Sequence, residues 1–129
     1  MNQEAGKIKS FTDLMAWQEG HKLVLDVYKI TKQFPKEEQF GLTNQLRRAA
    51  VSITSNIAEG FSRNSYKEKL QFYYVSLGST TETQNQLLIA RNLQYITEKT
   101  FSEIAGQAVK VNKITNGLLK KTRFIIHNS

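Results

Sequence analysis

Apolar residues recur along this chain at helical spacing, in four blocks separated by short polar breaks. The first block predicts a helix from about Asp13 to Gln33. Trp17, His21, Val24, Leu25 and Tyr28 fall on one side of it, and Ala16, Leu23, Val27, Ile30 and Phe34 on an adjoining side. So wide an apolar arc predicts contacts on two sides. Thr12 or Asp13 is the expected cap, and Asp13 also suits the positive end of the helix dipole. His21, on the apolar side with no second histidine nearby, is expected to be buried or half-buried with one hydrogen-bond partner.

The second block, Phe34 to Phe61, is the stretch around which the chain is organised. It opens on the only proline, Pro35, a break after the first helix. Glu37 and Glu38 suit a short first turn. Leu42, Leu46, Ala49, Ala50, Ile53, Ile57 and Phe61 then fall on one face, with Gly60 as the expected C-terminal cap. Ala49 and Ala50 permit a close neighbouring helix. Phe40, Val51 and Ala58 form a thinner second stripe beside Arg47, which points to a subunit contact or to a wide core face.

Ser65 and Glu68 form a capping-box pattern that starts a third helix, running to near Asn92. Tyr66, Leu70, Tyr73, Tyr74, Leu77, Thr81, Gln84 and Leu88 make one face; Phe72, Val75, Ile89, Ala90 and Leu93 make the other. Aromatics beside Lys67 and Lys69 invite a base-stacking role, but this spacing favours core tyrosines. Gly78 sits mid-helix at a cost of about 1 kcal/mol relative to alanine, for which a close helix crossing is reason enough. Thr97 and Glu98 open a fourth helix that runs to about Thr122. Phe101, Ile104, Ala108, Val111, Ile114, Leu118 and Leu119 span its apolar arc, while Lys99, Lys110, Lys113, Lys120 and Lys121 fall within about 100° on the far side.

Four such helices with short links predict an all-α fold, an antiparallel up-down-up-down four-helix bundle. Residues 1–10 are expected to be a flexible N-terminus, residues 11–123 the bundle, and residues 124–129 a tail whose Phe124, Ile125 and Ile126 pack on a neighbour. At 129 residues this is one domain with room for a core. Seven glycines, one proline and no repeated turn dipeptides argue against a β-rich fold.

With no cysteine, disulfides and thiolate metal sites are excluded. No apolar run approaches the roughly 20 residues of a membrane span. The N-terminus lacks the apolar core of a secretory signal, so a cytoplasmic location without membrane association is expected. The net charge of +7 is uneven. From Ile96 to the end, six basic residues face two acids, whereas from Pro35 to Ser62 three face three. That balance favours a polyanionic partner, either nucleic acid or an acidic protein. Lysines near a helix C-terminus also stabilise the helix itself, so the basic stripe reads equally as a solvated face. Catalysis finds little support. A metal nuclease needs clustered carboxylates, and Glu59, Glu68 and Glu82 lie on separate turns with only His21 and His127 to assist. No enzyme activity, metal or cofactor is expected.

Phe34-Pro35, Phe40-Gly41-Leu42, Gln45-Leu46-Arg47-Arg48-Ala49-Ala50, Ser52-Ile53 and Asn56-Ile57-Ala58-Glu59-Gly60-Phe61 closely resemble the signature of the four-helix proteins encoded in 23S ribosomal RNA intervening sequences. Asp13-Leu14, Trp17-Gln18, Tyr28, Arg63, Glu68, Phe72, Gly78-Ser79, Glu82, Gln86 and Ile89-Ala90 extend the match over residues 11–122. Thr54 stands where that family often carries proline, and Ser62 where glycine is common. The first change should leave the second helix straighter or better hydrogen-bonded. The resemblance implies a four-helix bundle assembled into a homopentameric ring. The related accessory variability proteins of diversity-generating retroelements look similar, and imply RNA or DNA binding through lysine and arginine, without catalysis.

Two functions follow as expectations. The first is an oligomeric nucleic-acid binder of weak sequence specificity, with Arg47, Arg48, Arg63, Lys67, Lys69, Lys110, Lys113, Lys120, Lys121 and Arg123 as candidate phosphate contacts. For Arg47 and Arg48 a subunit contact is the alternative role. The second is an oligomeric scaffold whose basic surface docks a protein partner such as a reverse transcriptase.

Overall fold

The computed structural model describes residues 7–128. The expected flexibility of the N-terminus therefore lies, for residues 1–6, outside the described residues. The chain forms four α-helices: α1 (Met15–Thr31), α2 (Leu42–Ser62), α3 (Tyr66–Asn92) and α4 (Glu98–His127). Short 3-10 turns occupy Phe11–Asp13 and Lys36–Glu38. There is no strand among the described residues. Helix α1 neighbours α2 and α4, and α3 neighbours the same two, closing a four-helix bundle.

The start of α1 differs from expectation. Ser10, not Thr12 or Asp13, is the capping residue, and it caps the 3-10 turn. The Asp13 carboxylate accepts the N–H groups of Lys9 and Ser10 at 2.9 and 3.0 Å, which holds its pKa below the ordinary value. His21 is exposed rather than buried or half-buried, and its ring stacks on Trp17 with centroids 4.6 Å apart.

Pro35 opens the expected short turn, and Glu38 links it to the rest. One carboxylate oxygen accepts the N–H of Leu42 at 3.0 Å, capping α2; the other accepts the Tyr95 hydroxyl at 2.8 Å. Helix α2 does not stop at Gly60 but continues to Ser62, past the position that carries Thr54. Gly60 is buried, and a Cβ there would lie 2.7 Å from the Tyr73 ring. Its role is close approach to α3, not termination. Three serines repeat that approach. Ser52 and Ser79 hydroxyls meet at 2.8 Å, and Ser76 Oγ donates to the Ile53 carbonyl at 2.9 Å.

Helix α3 begins at the expected cap, with Ser65 Oγ accepting from Glu68 N–H as one half of the expected capping box, and ends at Asn92 as expected. Its inward face is not the expected one. The buried residues are Tyr73, Ser76, Ser79, Thr80, Thr83, Gln86, Leu87 and Ala90, whereas Tyr66, Tyr74, Val75, Leu88, Ile89 and Leu93 are exposed. Burial of so many hydroxyls is tolerated because Thr80 and Thr83 donate to the carbonyls of Ser76 and Ser79. Gly78 lies on the outside, and a Cβ there would meet nothing within 4 Å, so no crossing within the chain explains it. The helix ends in a Schellman motif, with Tyr95 N–H bonded to Ala90 C=O and Gln94 N–H to Arg91 C=O. Gln94 takes the left-handed position at φ 62°.

Thr97 Oγ1 caps α4 as expected, accepting Thr100 N–H at 3.1 Å. The helix then passes Thr122 and continues to His127, so the segment expected to be a tail is helical that far. No proline or glycine intervenes, and Ile125 and Ile126 are half-buried. The core is built from Leu23 and Val27, Leu46, Ala50, Ile53 and Ile57, Leu87 and Ala90, and Ile104, Ala108 and Val111. These bury completely and supply the main driving force for folding.

Gly60→Ala should lower stability by about 1–3 kcal/mol by forcing α2 and α3 apart. Gly78→Ala should raise it by about 0.5–1 kcal/mol through helix propensity; equilibrium urea denaturation reads both. Glu38 supplies a pH signature. The Leu42 N–H first, then the Tyr95 hydroxyl, favours its carboxylate, so its folded pKa lies below the ordinary 4.5. The stabilisation is full above 4.5 and is lost as pH falls through the depressed folded value. Melting temperature followed from about pH 6 to pH 3 should show this loss, and Glu38→Gln should flatten it.

Candidate nucleic-acid interface

The ten candidate cations do not form one patch. Half are engaged within the fold. Arg47 Nε donates to the buried Thr31 Oγ1 at 2.8 Å, and its guanidinium lies 4.6 Å from the Tyr28 ring centre. Arg63 pairs with Glu59 at 2.8 Å and covers the Phe72 ring at 4.7 Å. Lys69 Nζ donates to the Phe61 carbonyl at 2.7 Å beside the Phe61 and Tyr66 rings. Burial there pushes the Lys69 amine below its ordinary pKa. That carbonyl is in the last turn of α2, where acceptors lack helical partners, so Lys69 closes the helix end. Lys110 lies 3.4 Å from the Glu19 carboxylate, which also accepts from Gln107 Nε2. Gln107 first, then Lys110, holds the Glu19 pKa below its ordinary value. Arg123 Nη1 donates to the Tyr74 hydroxyl at 3.0 Å.

Arg48, Lys67, Lys113, Lys120 and Lys121 are exposed, with no hydrogen bond or ion pair among the described residues. Arg48 stands apart from the rest. It lines a shallow depression on α2 with Tyr28, Val51 and Ser55, and α2 is not a neighbour of α4. The lysines of α4 share a surface. Lys113, Gly117, Lys120 and Phe124 follow one another at helical spacing and are all exposed. From Ile104 to Ser129 the chain has five Lys or Arg residues and no acid. Tyr74, the Arg123 partner, and Phe124 were not legible as site residues. The first pairs across 49 positions, and the second belonged to the expected tail.

An open cleft of about 960 Å³ lies where α1 meets the α3–α4 link. Its charges balance, Lys22, Lys29 and Arg91 against Asp26, Glu98 and Glu103, so it offers phosphate no preference. Burial raises the Asp26 pKa against the opposing pull of Lys22 and Lys29. Among the described residues no three His, Asp or Glu side chains gather to hold a metal ion, and no helix is long and apolar enough to cross a membrane.

Residues 12–117 match the family described as 23S rRNA-intervening sequence protein. The chain belongs to that family. The 23S rRNA-intervening sequence protein match takes in most of the bundle, from the turn before α1 into α4. Among solved structures, one similar chain is a protein of unknown function from the S23 ribosomal protein family of Bacteroides thetaiotaomicron VPI-5482. It is 20% identical with a TM-score of 0.77, and the alignment covers 82% of this chain and 99% of that one. At that identity the likeness shows the fold. No curated protein matches the chain.

The division of cations has a measurable consequence. Arg47→Ala removes a charged hydrogen bond to a buried hydroxyl and a ring contact, and should cost about 1–3 kcal/mol in urea denaturation. Lys120→Glu, on an exposed face, should change stability by less than about 0.5 kcal/mol.

Proposed function

We propose that this protein is a non-enzymatic, oligomeric binder of RNA or DNA, acting through the basic outer surface of α4 with weak sequence specificity. The observation that carries the reading is the set of unpaired cations Lys113, Lys120 and Lys121 in a segment without acids. Such a surface gains affinity by releasing counterions from phosphates and reads no base edges. A cytoplasmic location, where nucleic acid is within reach, goes with it.

The reading takes the bundle as antiparallel, up-down-up-down. In support, contacts ascend along one helix as they descend along the next. Gly60 meets Tyr73 while Ser52 meets Ser79, and Gly20 meets Thr54 while Thr31 meets Arg47. It also takes the assembly as a ring, with a homopentamer as the family resemblance implies. Leu25, Tyr28 and Val51 are exposed on α1 and α2, and Phe40 is 88% exposed. These apolar residues, with Arg48 among them, suit a subunit contact. They suit a protein partner as well, which keeps the scaffold as the second reading.

Electrophoretic binding to structured RNA and duplex DNA across a salt series, with mass in solution measured alongside, is the test. An oligomer whose affinity drops roughly five-hundredfold between about 50 and 200 mM salt is expected if each ligand engages about five phosphates. Lys113→Glu with Lys120→Glu should weaken binding and flatten that slope. No binding at low salt by a well-formed oligomer would overturn the reading and favour the scaffold.

A further inference from the structure

The inward face of α3 is filled by serine and threonine, and this leaves aromatic rings outside. Tyr66 and Tyr74 are 46% and 47% exposed, while Tyr73 is buried, its phenol pushed up to about 12 by loss of solvent. On α4, Phe124 is 67% exposed. Single exposed apolar residues need no explanation. Here two of them are linked through one arginine. Arg123 precedes Phe124 in the chain and donates to the Tyr74 hydroxyl at 3.0 Å.

Each ring continues a stripe. Lys67, Gln71, Tyr74 and Gly78 follow at helical spacing on α3 and are all exposed, as are Lys113, Gly117, Lys120 and Phe124 on the neighbouring α4. Seven residues of helix rise about 10 Å, so each stripe sets a cation about 10 Å from the next functional group, Tyr74 on α3 and Lys120 on α4. Neither stripe contains an acid. A Cβ added at Gly78 or Gly117 would meet nothing within 4 Å, so the surface beside the rings and lysines is open.

We propose that this α3–α4 face selects unpaired nucleotides, with Tyr74 and Phe124 stacking on bases while Lys67, Lys113 and Lys120 hold the phosphates. The inference rests on the nucleic-acid reading above and adds the class of ligand. A duplex hides the faces of its bases in its own stack and offers these rings nothing. An unpaired strand offers a π-face at every nucleotide, and each base–aromatic contact contributes binding energy whatever the base.

The test is fluorescence anisotropy of the full chain with an unstructured oligouridine of about 15 nucleotides and with a duplex of equal length. The single strand should bind more tightly. Tyr74→Ala and Phe124→Ala should each weaken single-strand binding by about fivefold or more, and duplex binding by less than about twofold. Tyr74→Phe, which keeps the ring, should retain most of the affinity. Lys120→Glu should weaken both ligands. Equal binding of both ligands, with Lys120→Glu effective and the aromatic variants silent, would overturn the selection and leave the basic binder standing. A changed solution mass in Tyr74→Ala or Phe124→Ala would place the rings in a subunit contact and overturn it too. Failure of the wild type to bind either ligand would overturn both readings.

Discussion

The separation of α2 and α3 is the constraint on which the rest depends. At Gly60 there is no room for even a methyl group against Tyr73, and at Ser52 and Ser79 two hydroxyls fill the gap. Helices this close require small side chains at the contact. Ser76, Ser79, Thr80 and Thr83 supply them, each hydroxyl satisfied, so the low hydrophobicity of that face costs little. Apart from Tyr73 and Leu87, the large apolar side chains of α3 lie outside this contact or at its margin. Tyr74, Val75, Ile89 and Leu93 meet solvent because the interior is already occupied by smaller residues.

A second division separates cations that hold the fold from cations that are free. Arg47 ties α2 to α1, Lys69 closes the last turn of α2, and Arg63 covers an α3 ring from the link before it. Each sits on an aromatic face as well as a hydrogen bond or ion pair, so each is engaged within the fold. Lys113, Lys120 and Lys121 of α4 have neither. These three free cations are presented to solvent on α4, which neighbours the exposed aromatics of α3.

Much of the fold was legible in the sequence, through signals local in the chain. Pro35, Ser65 and Thr97 mark helix starts by chemistry that acts within one turn, and the motif from Phe34 to Phe61 marked the family. Three features were not legible, for physical reasons. Apolar periodicity cannot find a buried face rich in hydroxyls, and so points the rings of α3 inward. A glycine near a helix end resembles a cap, and only the partner helix shows that Gly60 serves packing. No single position in Arg123 to His127 forbids or demands helix, so the end of α4 was set by packing rather than by a breaker. The candidate site suffered most. Whether an arginine is free or engaged depends on partners such as Thr31 for Arg47 and Tyr74 for Arg123, both distant in sequence.

Photochemical crosslinking of the protein to a uridine-rich RNA, with adducts located by peptide mass spectrometry, bears most directly on the claim that nucleic acid lies along the outer face of α3 and α4. Adducts on the peptides that carry Tyr74 and Phe124 are the expected result. Adducts concentrated instead on the α2 surface around Arg48, or in the charge-balanced cleft beside Arg91, would contradict it.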